Sequence, residues 1–328
     1  MKNGILAIAL EKGLSGEGLS RDEALEFTAL PDSRVYDMLS VTGRVVRTHK
    51  GMEVNLCAIV NAKSGLCKED CSFCAQSVKY STGVKEYPFL QGEAIVNAAK
   101  EAGKNHAREF SIVASGSRIE KESDIKILSD AIESMKEEAG VERCASLGMI
   151  GATALKKLKD SGLQSYHHNL ETSRAFFPNI CTTHNYDDDV NVVKTAKSLG
   201  LHVCSGGIFG LGETWQDRAS LAMLLRELDV DSVPINFLNP RPGTPLADFK
   251  NLTPVTCLKI IALFRLMLPL KDIVVCGGRQ VNLRGLQALI FAAGANGMMI
   301  GNYLTTPGAN PEDDRQMLAD LGLSPKGL

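Results

Sequence analysis

The sequence predicts an α/β chain folded as one (β/α)8, TIM-type barrel with a helical extension in front of it, on three observations. Its 328 residues exceed a typical domain of about 100–200 residues but suit an α/β barrel built as one unit. From residue 52 onward, eight short β-rich runs alternate with amphipathic helical stretches. Repeated βα units favour a parallel sheet with helices outside, and eight of them can close on themselves. No low-complexity tract or linker-like segment divides the chain. A doubly wound open sheet would show the same alternation, because a sequence does not reveal whether its first and last strands meet.

The elements follow in order. "SRDEALEFTAL", residues 20–30, opens with Ser20 and Glu23 in capping-box spacing, and "DSRVYDMLSVTGRVVRTHKG" continues with helical periodicity. The expected strands are "EVNLCAIV", "REFSIVAS", "VERCASLG", "SYHHNL", "HVCSGGI", "SVPINFL", "IVVCGG" and "GMMIGN". Helical stretches such as "GEAIVNAAKEAGK", "DIKILSDAIESMKEEAG" and "DDDVNVVKTAKSLG" lie between them, most ending at Gly or a turn. The reading divides the chain into a helical extension over 1–50, a barrel over 51–304 and a C-terminal tail over 305–328.

Composition narrows the function. Hydrophobic residues make up 44% and charged residues 23%, which is ordinary globular usage. A formal charge of −2 offers no broad basic surface for nucleic acid. The opening "MKNGILAIALEKG" is too short an apolar run for a signal peptide or membrane span, so a soluble, cytoplasmic protein is expected. Nine cysteines, an odd number, do not suit a disulfide framework in that compartment and point to metal or redox chemistry. Singly placed cysteines also serve as small buried hydrophobes.

"CKEDCSFC" places Cys67, Cys71 and Cys74 in the loop after the first strand, at the end of the barrel where chemistry is done. A structural zinc takes four protein ligands. Three thiolates on a four-iron cube leave one iron open; zinc completed by a distant residue and chance clustering are the other readings of this cluster. This spacing after a first barrel strand resembles the radical S-adenosylmethionine superfamily. There the open iron is chelated by S-adenosylmethionine, which electron transfer cleaves to a 5′-deoxyadenosyl radical. The resemblance places Phe73 beside the adenine. "SGGIFGLGET" carries Gly206, Ile208, Gly210 and Glu213 in the superfamily's G-x-I-x-G-x-x-E pattern near the adenosyl group. Glycines there let the backbone approach a ligand closely, and Thr214 with Asp217 would cap the following helix.

Within that superfamily the chain is similar to the biotin synthase family from about residue 50 to its end. The resemblance rests on "CKEDCSFCAQSVKYSTG", "YHHNLETS", "VCSGGIFGLGET", "VPINFLNPRPGTPL", "GGRQ" and "FAAGANGMMIGNYLTTPG". It implies insertion of sulfur between two unactivated carbons of dethiobiotin, with sulfide from a second iron–sulfur cluster deep in the barrel. It further implies a 4Fe-4S cluster on the three-cysteine loop, a flavodoxin- or ferredoxin-type electron donor and a homodimer. Asn169 and Glu171 would meet the ribose of S-adenosylmethionine; Asn169, Asn236 and His167 would face the substrate. The family pattern has Asp at the position of Glu171 and Asn at that of His167. Adjacent strand residues face opposite ways, so His167 and His168 do not share one site. Other barrels of the superfamily mature metalloenzymes or rearrange amino acids, and an iron–sulfur sensor would share the first motif alone.

The second cluster departs from the family pattern, which takes cysteines from the second, third and fifth strands and an arginine from the seventh. Cys144, Cys204 and Arg279 are kept, but the second strand carries Ser111, and a hydroxyl is a poor substitute for thiolate on iron. Cys57 and Cys276 lie on the first and seventh strands. A barrel layer draws its four inward side chains from alternate strands, so Cys57, Cys144, Cys204 and Cys276 are expected to face a common centre. They would hold a four-iron rather than two-iron cluster with an extra sulfide for transfer, or pack as four small hydrophobes. Arg279, three residues beyond Cys276, would face away from it in a regular strand; either the intervening glycines bend the strand or the ligand role is lost. Cys181 and Cys257 receive no role.

Overall fold

A computed structural model describes residues 4–119, 121–306 and 308–327. Met1 to Asn3 of the apolar start and Pro307 of the last family segment lie outside these residues.

Three helices precede the barrel: α1 (Ile5–Ser15), α2 (Arg21–Thr28) and α3 (Val35–Lys50). The expected capping box starts α2: the Ser20 hydroxyl accepts from the Glu23 N–H, and the Glu23 carboxylate from the Ser20 N–H at 2.8 Å. The apolar opening run is itself helical, forming α1, which packs on α3.

The barrel then alternates β1 (Glu53–Lys63), α4 (Gly92–Lys104), β2 (Glu109–Ala114), α5 (Glu122–Glu138), β3 (Glu142–Ser146), α6 (Ala152–Asp160), β4 (Ser165–His167) and α7 (Tyr186–Ser198). It continues through β5 (His202–Cys204), β6 (Gly207–Phe209), α8 (Trp215–Glu227), β7 (Ser232–Phe237), α9 (Pro254–Met267), β8 (Asp272–Val275), α10 (Arg279–Leu283), α11 (Leu289–Ala293) and β9 (Gly297–Met299). All pairings are parallel, and β9 pairs with β1 through Asn55↔Gly297 and Cys57↔Met299. The sheet is therefore closed, not doubly wound. The N-terminal helices pack on α8 and α9. Beyond the barrel, α12 (Pro311–Asp320) leads to β10 (Ser324–Pro325), which adds to the start of β1.

The fifth barrel strand is split into β5 and β6, and its glycines explain how it stays in the sheet. A Cβ on Gly206 would lie 2.0 Å from the Pro234 carbonyl oxygen, and one on Gly207 would lie 2.3 Å from that of Glu171. The close approach these glycines permit is thus to neighbouring backbone.

Among the described residues, no helix is long and apolar enough to cross a membrane.

Candidate active site

A cavity of about 390 Å³ runs down the barrel axis from the strand ends. Barrel interiors are ordinarily filled by bulky branched side chains. Here the inward positions include Cys57, Ser111, Cys144, Ser165, Cys204 and Ser232, too small to fill the space, and this composition leaves the cavity open.

At its rim lies the loop after β1. Cys67, Cys71 and Cys74 are free thiols, brought together by a turn in which the Cys74 N–H donates to the Cys71 carbonyl at 2.9 Å and the Cys67 N–H to that of Gln76 at 3.0 Å. Cys74 and Phe73 line the cavity. Burial pushes the Cys74 thiol up to about 11, a cost that metal coordination removes by favouring the thiolate.

Deeper in, Cys57 on β1, Cys144 on β3, Cys204 on β5 and Cys276 just past β8 all line the same cavity. Because β5 and β6 are one barrel strand, these are its first, third, fifth and seventh strands. Cys276 and then burial hold the Cys57 thiol well above its usual range, while burial is the main cause for Cys144 and Cys204. Ser111 sits beside Cys144 in the β2–β3 register, and its buried hydroxyl has no hydrogen-bond partner. Four thiols, none in a disulfide, lining one space fit an iron–sulfur group in their chemistry.

Between Cys276 and Arg279 the glycines turn the chain, the first of the two expected courses. The strand ends at Val275, Gly278 adopts φ +73°, and Arg279 begins α10. Its guanidinium is bound by Asp314 at 2.7 and 2.8 Å and by Gln287 at 3.0 Å, and Arg279 is absent from the cavity wall. One end of the guanidinium thus pairs with a carboxylate on α12, while its buried Nε has no partner among the described residues.

On the opposite wall, His167, Asn169, Glu171, Ile208 and Asn236 all reach the cavity. Asn169 Oδ1 accepts from the Gly206 N–H at 3.2 Å, and its Nδ2 reaches Glu171 at 3.3 Å. Asn236 Oδ1 accepts from the Gly277 N–H at 2.9 Å, and its Nδ2 donates to the Gly207 carbonyl at 3.3 Å. Both amides are thereby oriented, with lone pairs to spare. Burial lowers His167 to about 4 and raises Glu171 to about 8. His168 points away, its Nε2 2.8 Å from Asp189 on α7.

Gly210 and Glu213 do not line this cavity. The Glu213 carboxylate accepts from the Gly210 N–H at 3.0 Å and the Leu211 N–H at 2.7 Å, and it pairs with Arg218 at 2.7 Å. Glu213 thus forms a clasp that shapes the loop after β6. Thr214 and Asp217 form the expected cap.

Three features were not anticipated. Glu109 lines the cavity floor two residues before Ser111, so strand alternation alone carried that signal. Cys181 lies 3.8 Å from Cys71 and 3.3 Å from His184 Nδ1, and His184 also meets Glu69 at 2.8 Å. Cys181 and His184 are three residues apart, but they meet Cys71 and Glu69 of the rim loop at least 110 positions earlier. Arg241, bracketed by two prolines, reaches the cavity mouth; a charge beside the end of a barrel strand was the available clue.

Barrel, three-thiol rim loop and glycine-rich fifth strand together define a radical S-adenosylmethionine enzyme, and residues 63–225 match the model of the Radical SAM superfamily. Residues 234–324 match the Biotin and Thiamin Synthesis associated domain. The chain is 51% identical over 310 residues to the biotin synthase of Trichlorobacter lovleyi, covering 94% of this chain and 93% of that protein. It is 50% identical over 311 residues to the biotin synthase of Geobacter sulfurreducens, covering 95% and 94%. The chain belongs to the biotin synthase family, whose enzymes insert sulfur by radical chemistry. Solved structures of methylornithine synthase (TM-score 0.84, 20% identity, 97% of each chain) and of the FeFe-hydrogenase maturase HydG from Carboxydothermus hydrogenoformans (TM-score 0.81, 17% identity, 98% of this chain and 79% of that one) share the fold.

Proposed function

We propose that the chain converts dethiobiotin to biotin with two iron–sulfur groups. Cys67, Cys71 and Cys74 hold a 4Fe-4S cluster at the rim, and Cys57, Cys144, Cys204 and Cys276 hold a four-iron cluster with an extra sulfide below it. The observation that carries this reading is the convergence of four free cysteines from alternate strands on the cavity beneath the rim loop.

When bound, the rim group and S-adenosylmethionine supply the adenosyl radical, and the inner group supplies sulfide. The chain's own residues do the positioning. Phe73 and Ile208 offer apolar surface to the adenosine, with Asn169 and Glu171 at its ribose. Asn169 and Asn236, each fixed by a backbone N–H, present donors and acceptors to the ureido ring. His167, uncharged at neutral pH, adds a neutral hydrogen-bonding group beside them. The serines between the cysteines leave room for the inner cluster. Gly206 keeps the β5–β6 bend against β7, and Gly210 with Glu213 shapes the loop beyond it.

The reading extends to a flavodoxin- or ferredoxin-type electron donor, a homodimer, a cytoplasmic location and a division into extension (1–50), barrel (51–304) and tail (305–328). Iron and sulfide analysis with Mössbauer spectroscopy on anaerobically purified protein tests the clusters. About eight irons per chain are expected, falling by half when Cys57 or Cys276 is replaced. A count of four that neither replacement alters would sink the second cluster. Stimulation of S-adenosylmethionine cleavage by dethiobiotin tests the substrate.

A further inference from the structure

Arg241 is the only lysine or arginine among the described residues lining the cavity. Arg34, Arg108, Arg174, Arg218, Arg279 and Arg315 each meet a carboxylate, whereas Arg241 meets none among the described residues. It is half-buried, and a cation withdrawn from water without a partner is costly unless a ligand supplies the opposite charge.

The backbone that carries it is rigidly placed. Pro240 and Pro242 flank Arg241 and restrict its conformations. Its carbonyl accepts from the Thr244 N–H at 3.2 Å and the Thr244 hydroxyl at 2.8 Å. Gly243 has φ +84°, and a Cβ there would lie 2.1 Å from the Ser81 carbonyl oxygen. The turn is thus pressed against the segment that follows the three-cysteine loop, where the Thr82 hydroxyl donates to the Ala75 carbonyl at 2.6 Å.

This inference rests on dethiobiotin being the substrate. That molecule has a ureido ring at one end, with the reacting carbons beside it, and a carboxylate at the far end of a saturated chain. The reacting end must face the cysteines of the cavity floor, so the acid must face the mouth. There the wall offers apolar Leu238 and Leu304, then Arg241. We propose that Arg241 receives the terminal carboxylate of the substrate and makes the enzyme selective for the acid over its neutral derivatives. A planar guanidinium pairs with a carboxylate through two parallel hydrogen bonds.

The test is equilibrium binding to anaerobic holoenzyme saturated with S-adenosylmethionine, without reductant so that no turnover occurs. Dethiobiotin and its primary amide are the probes. Wild type should bind the acid about 30-fold more tightly than the amide, and Arg241→Gln should lose about 30-fold for the acid while binding the amide as wild type does. Arg241→Lys should retain part of the preference. Equal binding of acid and amide by wild type overturns the proposal, and this comparison needs no variant. So does a Gln variant that weakens both probes alike, which marks a structural role. Loss of S-adenosylmethionine affinity with unchanged dethiobiotin affinity also overturns it, assigning the cation to the other carboxylate. If wild type binds neither probe, the substrate reading itself fails and the inference falls with it.

Discussion

Arg279 and Asp314 form an ion pair in the protein interior, one guanidinium nitrogen lying 2.7 Å from one carboxylate oxygen and 2.8 Å from the other. The side chains are 1% and 4% exposed, so neither charge has water to fall back on. Asp314→Ala leaves a buried, uncompensated guanidinium and should lower stability by about 3–5 kcal/mol. Urea denaturation of the anaerobic holoenzyme reads this, and iron per chain should be unchanged, because the pair ties α12 to the barrel through Arg279.

Ser111 offers the opposite case. Its hydroxyl is buried without a partner, and deleting such a group is expected to be neutral or to stabilise by up to about 1 kcal/mol. Ser111→Ala should therefore keep its iron and its denaturation midpoint. Cys144→Ala, next to it in register, should lose the inner iron.

His167 should make stability depend on acid. Its folded pKa is lowered to about 4 by burial, below the usual value near 6.5, so between these values the unfolded chain binds more protons. Stability is then fully present above about pH 6.5 and is lost as pH falls toward 4, by on the order of 2 kcal/mol at pH 5. Denaturation at pH 5 and 7.5 should show that loss in wild type and a smaller one in His167→Asn.

Glu213 holds the loop after β6 through two backbone N–H groups and Arg218. Glu213→Gln removes the charge that Arg218 faces and should cost about 2–4 kcal/mol. S-adenosylmethionine affinity, measured by equilibrium dialysis, should fall with it, because Ile208 lies just upstream. Unchanged stability would show that the clasp is redundant.

Features legible in the sequence were those whose physics is local. Ser20 with Glu23 and Thr214 with Asp217 cap helices across three residues, and both boxes are present. Alternation within a strand placed Cys57, Cys144, Cys204 and Cys276 inward, and the odd-strand rule placed them around one space. The motif singled out Glu213 but not the groups its carboxylate meets, which are two backbone N–H groups and Arg218. Cys181 was passed over because its neighbours are Cys71, 110 positions earlier, and a histidine whose orientation no spacing reveals.

By itself the sequence determined the alternation of strands and helices, the rim thiols and the small inward residues that keep the barrel axis open, because each depends on near neighbours or on the period of a strand. Closure of the sheet through Asn55 and Gly297, the pairing of Arg279 with Asp314 and the arrival of Arg241 at the cavity mouth with no carboxylate beside it among the described residues were decided only by the tertiary structure. Those facts depend on which buried charges find partners, and partners drawn from distant segments meet only when the barrel has closed.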